Sequence, residues 1–182
     1  MPTIDQYNAA AEQCASIFLK KTKDYGTSWR VLRTISVADQ IMIKALRIRN
    51  LQQLTQQQVS DSITSEFIGI FNYAIIGLIQ LALGEPAIDE LPYDAAAQLY
   101  HQHLQEAKAT MLQKNHDYGE AWRDMSQESF ADLILVKLLR IRQIVANDGK
   151  TLISEGIDAN YIDIVNYAAF ALILIAEGKH KG

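Results

Sequence analysis

"SVADQIMIKALRIRNL" (Ser36–Leu51) returns 93 positions later as "SFADLILVKLLRIRQI" (Ser129–Ile144). Apolar residues recur in both at three- and four-residue intervals, and Ala, Leu, Ile, Gln, Lys and Arg dominate, which favours helix over strand. The same offset lays "KDYGTSWRV" (Lys23–Val31) over "HDYGEAWRD" (His116–Asp124) and Tyr7 over Tyr100. One inserted residue later, "EFIGIFNYAIIGLIQLALG" (Glu66–Gly84) lies over "NYIDIVNYAAFALILIAEG" (Asn160–Gly178). A repeat of this length, holding several elements per copy, is the signature of a duplicated helical unit.

Each copy reads as three helices. The first is expected over 3–23 and again over 93–116, the second from Ser36 or Ser129, and the third from near Ser62 or Ile157. The join "GEPAIDELPYD" (Gly84–Asp94) places Pro86 and Pro92 between the copies. The expected fold is all-α: a tandem three-helix unit, 1–88 and 89–182, packed as a pseudo-twofold helical bundle or one compact domain. The third helices are apolar on nearly every side, which marks them as central.

Composition narrows function. A net charge of -4 supplies no basic footprint for a nucleic-acid duplex. The lone Cys14 has no internal disulfide partner and suits a reducing cytoplasm. The closest approach to a membrane span, "YIDIVNYAAFALILIA", is broken by Asp163 and Asn166, so no membrane segment is expected. The N-terminus lacks the basic and apolar regions of a signal peptide.

Several repeated residues invite a structural explanation. Gly26 and Gly119 stand where a helix ends on a left-handed residue. Ser36 with Asp39, and Ser129 with Asp132, have capping-box spacing. Arg49 falls on the apolar side of its helix and needs an anion, either a phosphate or a carboxylate from helix three. Asn72, Asn166 and Asp163 interrupt apolar surfaces. A buried Asp163 requires a cation, a metal or strong donors, and an ion pair with Arg140 or Arg142 would serve. The first copy has Gly69 at the place of Asp163, so the second copy is expected to hold the better site.

With "KNHDYGEAW", "DLILVKLLRI" and "DIVNY" in order, the chain resembles the nucleotide modification associated domain 1 family, twice over and across nearly its whole length. The resemblance implies a helical protein linked to nucleotide or modified-base metabolism. Its pattern falls on Lys114, Asp117, Tyr118, Gly119, Trp122, Asp132, Lys137, Arg140, Asp163 and Asn166. In the first copy it falls on Lys21, Asp24, Tyr25, Gly26, Trp29, Asp39, Lys44, Arg47 and Asn72. A wider similarity is to MazG-type all-α nucleoside triphosphate pyrophosphohydrolases, which hold magnesium on acidic helices. Of that signature the chain carries Glu155-x-x-Asp158 and no Glu-Glu-x-x-Glu.

Two functions are expected to compete. In one, each copy offers a nucleotide pocket. Tyr118 and Trp122 stack the base, Lys137 and Arg140 hold phosphate, Asp117 and Arg123 belong to the rim, and Asp163 with Asn166 binds sugar or a metal such as magnesium. The first-copy counterparts are Asp24, Tyr25, Trp29, Lys44, Arg47 and Asn72. In the other, the polar residues form a buried lock inside a scaffold module, with Asp24 or Asp117 paired to a cation of helix two. Chains would also pair as homo-oligomers.

Overall fold

The computed structural model describes residues 1–54, 62–152 and 154–182. These form six α-helices: α1 (Thr3–Tyr25), α2 (Thr34–Gln53), α3 (Ile63–Leu83), α4 (Tyr93–Tyr118), α5 (Gln127–Ala146) and α6 (Ile157–Ala176). A short 3-10 turn follows α1 at Ser28–Val31 and α4 at Ala121–Asp124. The fold is all-α, and the three-helix unit occurs twice, as the repeat requires.

The helices stack in three layers. The third helices of the two units, α3 and α6, pack on each other and form the middle. The α2/α5 pair covers one side, and α1 and α4 cover the other, each touching both middle helices. Burial on both faces is why the middle helices are apolar all round. By length and composition alone either could cross a bilayer, the polar interruptions at Asp163 and Asn166 notwithstanding. In this structure that apolar surface is largely buried, with Phe67, Phe71, Tyr161 and Ile164 fully enclosed.

Helix ends differ in detail from the sequence reading. Both first helices run through their Asp-Tyr pair to a positive-φ glycine, Gly26 at φ 73° and Gly119 at φ 65°. Only Gly119 is in the left-handed helical region. Gly26, at ψ -151°, occupies a region open to glycine alone. Ser62 does cap α3, accepting from the Ser65 N–H at 3.1 Å. The capping boxes at Ser36 and Ser129 do not form, because α2 starts at Thr34 and α5 at Gln127. Ser126 caps α5 instead, accepting from the Ser129 N–H at 3.2 Å.

The acids freed by that shift join the two units. Asp39 meets Arg142 at 2.6 Å, and Asp132 meets Arg49 at 3.8 Å. These reciprocal pairs set α2 and α5 antiparallel about the pseudo-twofold axis. The anion sought for Arg49 is thus a carboxylate from the other copy's second helix, and Arg142 is likewise taken by Asp39 rather than Asp163.

A second reciprocal set lies in the core. The Tyr7 hydroxyl donates to Asn166 Oδ1 at 2.8 Å, and the Tyr100 hydroxyl donates to Asn72 Oδ1 at 2.6 Å. Asn166 Nδ2 donates to the Ala107 carbonyl and Asn72 Nδ2 to the Cys14 carbonyl, each at 3.0 Å. Asn72 and Asn166 therefore each tie a middle helix to both outer helices. Burial pushes the Tyr7 and Tyr100 phenols well above their ordinary pKa, so they stay protonated and able to donate. Substituting Tyr100→Phe leaves a buried amide oxygen unpaired and should cost about 1–3 kcal/mol. Urea unfolding should show the loss, with a similar one for Tyr7→Phe. Unchanged midpoints in both would show that the crossing bonds contribute nothing.

Candidate functional site

In the first unit, the end of α1, the 3-10 turn and the facing sides of α2 and α3 enclose a cavity of about 590 Å³. That size lies within the range of small-molecule pockets, roughly 300–1,000 Å³. Of the residues singled out from sequence, Tyr25, Trp29, Lys44 and Asn72 line it, and Asp24 and Arg47 do not. Phe18, Tyr73, Lys21 and Gly69 also line it. The described lining contains two ammonium groups, several aromatic faces and no carboxylate.

Gly69 decides how Lys44 lies. A Cβ added at Gly69 would stand 2.9 Å from Lys44 Cδ and Cε, so the lysine stem crosses α3 where any side chain would obstruct it. Its ammonium ends 3.9 Å from Glu66 and 5.8 Å from the centre of the Tyr73 ring. Lys21 has no ion-pair partner among the described residues. Burial, and then the nearby Tyr25, raises the Tyr73 pKa. Trp29 leans on Phe18, ring centres 6.3 Å apart, and its buried indole N–H has no hydrogen-bond partner among the described residues.

The equivalent place in the second unit is occupied by protein. Asp163 replaces Gly69, and its two oxygens meet Lys114 at 2.7 Å and Lys137 at 2.9 Å. For Lys114, burial works to lower the pKa, but the hydrogen bond and charge of Asp163, with Glu155, leave it raised. Phe170, where the first unit has Ile76, stacks flat on Trp122 with centres 4.2 Å apart. The Trp122 indole donates to Asn115 at 3.2 Å. The first-unit counterpart of Asn115 is Thr22, whose hydroxyl donates to the Phe18 carbonyl at 2.8 Å, leaving the Trp29 N–H without that acceptor.

Around its aromatic loop the second copy is therefore packed by its own side chains where the first copy encloses a cavity. Its carboxylate is an anchor for two lysines, and Tyr118 stands largely free of the body at 75% exposure. Asp163 is not part of a metal cluster: among the described residues no three His, Cys, Asp or Glu side chains come together to hold an ion. Asn72 and Asn166 direct their amides into the core crossing. Asp24 is exposed, and Asp117 pairs with its neighbour His116 at 3.0 Å rather than with a second-helix cation.

The motif arginines fasten the loops. Arg30 is buried, donating to Gln80 Oε1 and to the Glu85 carbonyl. Gln80 in turn donates to the Arg30 and Leu32 carbonyls at 2.9 and 2.8 Å. Arg123 lies over the Trp122 ring at 4.5 Å and reaches Glu120 and Glu177, each at 2.9 Å, and Thr3 at 2.7 Å. It clamps the start of α1 to the end of α6. Lys137 and Arg140 line a different, more open cavity of about 900 Å³ beyond the end of α5, together with Lys150, Glu155 and Asn160.

The family model described as nucleotide modification associated domain 1 matches residues 21–81 and again 114–175. Both segments begin at the equivalent lysines Lys21 and Lys114 and run through the loop into the third helix. No curated protein and no solved structure matches the chain.

Two outcomes follow from this geometry. Asp163→Asn leaves two ammonium groups without their anion and should cost about 2–3 kcal/mol, below a fully buried pair because Lys114 is half exposed. Thermal melting would measure it, and an unchanged Tm would remove Asp163 from the role of anchor. Hydrogen bonds from Gln6, Lys179 and Arg123 hold Glu177 down at about pH 2. Its contribution is complete above the ordinary carboxylate pKa of about 4.3 and is lost as pH falls towards 2. Unfolding followed from pH 6 to 2 should show this decline in the parent protein and a shallower one in Glu177→Gln.

Proposed function

We propose a function on this premise: the chain belongs to the nucleotide modification associated domain 1 family, through both of its repeats. The first repeat binds a nucleotide in its cavity. The observation that carries the reading is a pocket of about 590 Å³ whose described lining joins Tyr25, Trp29 and Tyr73 to Lys21 and Lys44 without an acid. Aromatic faces stack any base, each worth about 1–3 kcal/mol, and two ammonium groups in a lining without a carboxylate attract phosphate. The second repeat supplies the other half of the core and keeps its own cations neutralised on that side.

Binding is the extent of this reading. The described residues assemble no carboxylate set for magnesium, and Glu155 and Asp158, the two acids compared with a MazG-type signature, are both exposed and outside this cavity. Magnesium enters only as a companion of the nucleotide's own phosphates. The competing reading, a non-catalytic interaction module, draws on the crossed Tyr–Asn bonds, which exist whether or not a ligand binds.

Calorimetry against ribo- and deoxynucleotides, with and without magnesium, separates the two. The wild-type chain should bind at least one class, and Gly69→Asp should weaken that binding at least tenfold, about 1.4 kcal/mol. The new carboxylate would draw Lys44 and Lys21 together as Asp163 draws Lys137 and Lys114, so the variant should melt no lower than wild type. Silence across the panel in the wild-type protein favours the interaction module.

A further inference from the structure

The two repeats carry the same second-helix cations but place their buried acid one helical turn apart. Glu66 and Asp163 are the two buried carboxylates among the described residues. Glu66 aligns with Asn160, and Asp163 aligns with Gly69. Three residues along a helix is close to one turn, so each acid serves a different end of the cation set. Glu66 meets Arg47 at 2.9 Å and stands farther from Lys44, at 3.9 Å, and the described lining of the loop-side cavity in the first unit holds no acid. Asp163 takes Lys114 and Lys137 on the loop side of the second unit, so the other side faces Asn160, which is neutral.

That other side is the second cavity. Arg140, the counterpart of Arg47, lines it and has no carboxylate within salt-bridge reach among the described residues. Lys150 faces it from a turn closed by Asn147, whose Nδ2 donates to the Lys150 carbonyl at 3.0 Å. Asn160 is buried in its wall and donates to the Gly156 carbonyl at 2.8 Å. Glu155 is the one acid of the described lining, and it acts on Lys114 closely enough to help raise that lysine's pKa.

We propose that this second cavity is a binding site for a phosphate-type oxyanion, with Arg140 and Lys150 as its charged partners and Asn160 as the residue that keeps it open. A guanidinium presents a planar fork of donors that matches two phosphate oxygens, and the ammonium adds a point charge. The anion arrives either as free phosphate or pyrophosphate or as the tail of a nucleotide. The site does not depend on the nucleotide reading of the first cavity.

The test is calorimetry on the full chain with orthophosphate, pyrophosphate and a nucleoside triphosphate as separate titrants. Wild type should bind at least one of them, more weakly as salt rises. Arg140→Ala changes an exposed side chain and should weaken binding at least fivefold. Asn160→Glu, which restores the first unit's arrangement, should do the same, and its melting curve checks that it folds. The phosphate or pyrophosphate binding that Arg140→Ala weakens should persist in Gly69→Asp, whose first cavity is closed to the anion. No binding by wild type, or Arg140→Ala binding like wild type, overturns the proposal. Loss of phosphate binding in Gly69→Asp overturns it too and moves the anion to the first cavity, so the two sites stand or fall separately.

Discussion

The crossed hydrogen bonds between Tyr7 and Asn166 and between Tyr100 and Asn72 are the constraint on which the architecture depends. Neither repeat satisfies its own asparagine, since the tyrosine that reaches Asn72 belongs to α4 and the one that reaches Asn166 belongs to α1. Only the two copies together bury these amide oxygens, and each burial is offset by a donor from the other copy; losing one donor with the cover in place costs about 1–3 kcal/mol. Polar groups placed this way also select a register, because sliding the outer helices along the middle layer breaks both bonds together. The reciprocal pairs Asp39–Arg142 and Asp132–Arg49 repeat the arrangement on the opposite side of the middle layer, in solvent. Being exposed, they contribute orientation more than stability.

With the frame held in this way, the two repeats can differ inside it. The duplicated cations pose the same electrostatic problem twice, and the repeats answer it at different turns of the third helix. Lys44 shows the consequence: with Gly69 beneath it, the side chain crosses α3 and borders the first cavity. Lys137 is held at 2.9 Å by Asp163 and borders the other cavity. A shift of one acid by three residues thus exchanges which end of the cation set is neutralised and which is left facing space.

Much of this was legible in the sequence, and the missing part has a physical reason. The repeat, the all-α class, the three helices per unit and the central position of the third helix all follow from apolar periodicity, which burial imposes directly. Asn72 and Asn166 were visible as polar interruptions. Their partners were not, because the pairing crosses between copies, and an alignment of one copy on the other carries no information about distance between them. Asp163 could be read as needing cations, but its lysine partners come from α4 and α5 rather than from the arginines nearest in the pattern. Arg30 and Arg123 recur together and yet hold unlike partners, Gln80 in one case and Glu120, Glu177 and Thr3 in the other. Repetition of a residue type marked their importance, not their role. The loop acids Asp24 and Asp117 recur in the same manner and remain exposed.

The proposal that the first repeat is the ligand-binding half draws on where the chain departs from its best packing. Glycine inside a helix costs about 1 kcal/mol relative to alanine, and Gly69 sits inside α3. An unpaired buried N–H also costs free energy, and the Trp29 indole has lost the acceptor that Asn115 gives Trp122. Lys21 lacks the carboxylate that Lys114 has. Each departure has a ready remedy in the other repeat, which places Asp163, Asn115 and Phe170 at the corresponding positions. Stability alone would favour those residues in both copies. Two independent departures, at Gly69 with the lysine it leaves unpaired and at the Trp29 indole, converge on one cavity in a protein that holds the remedies in its other half, as a site retained for binding would leave behind.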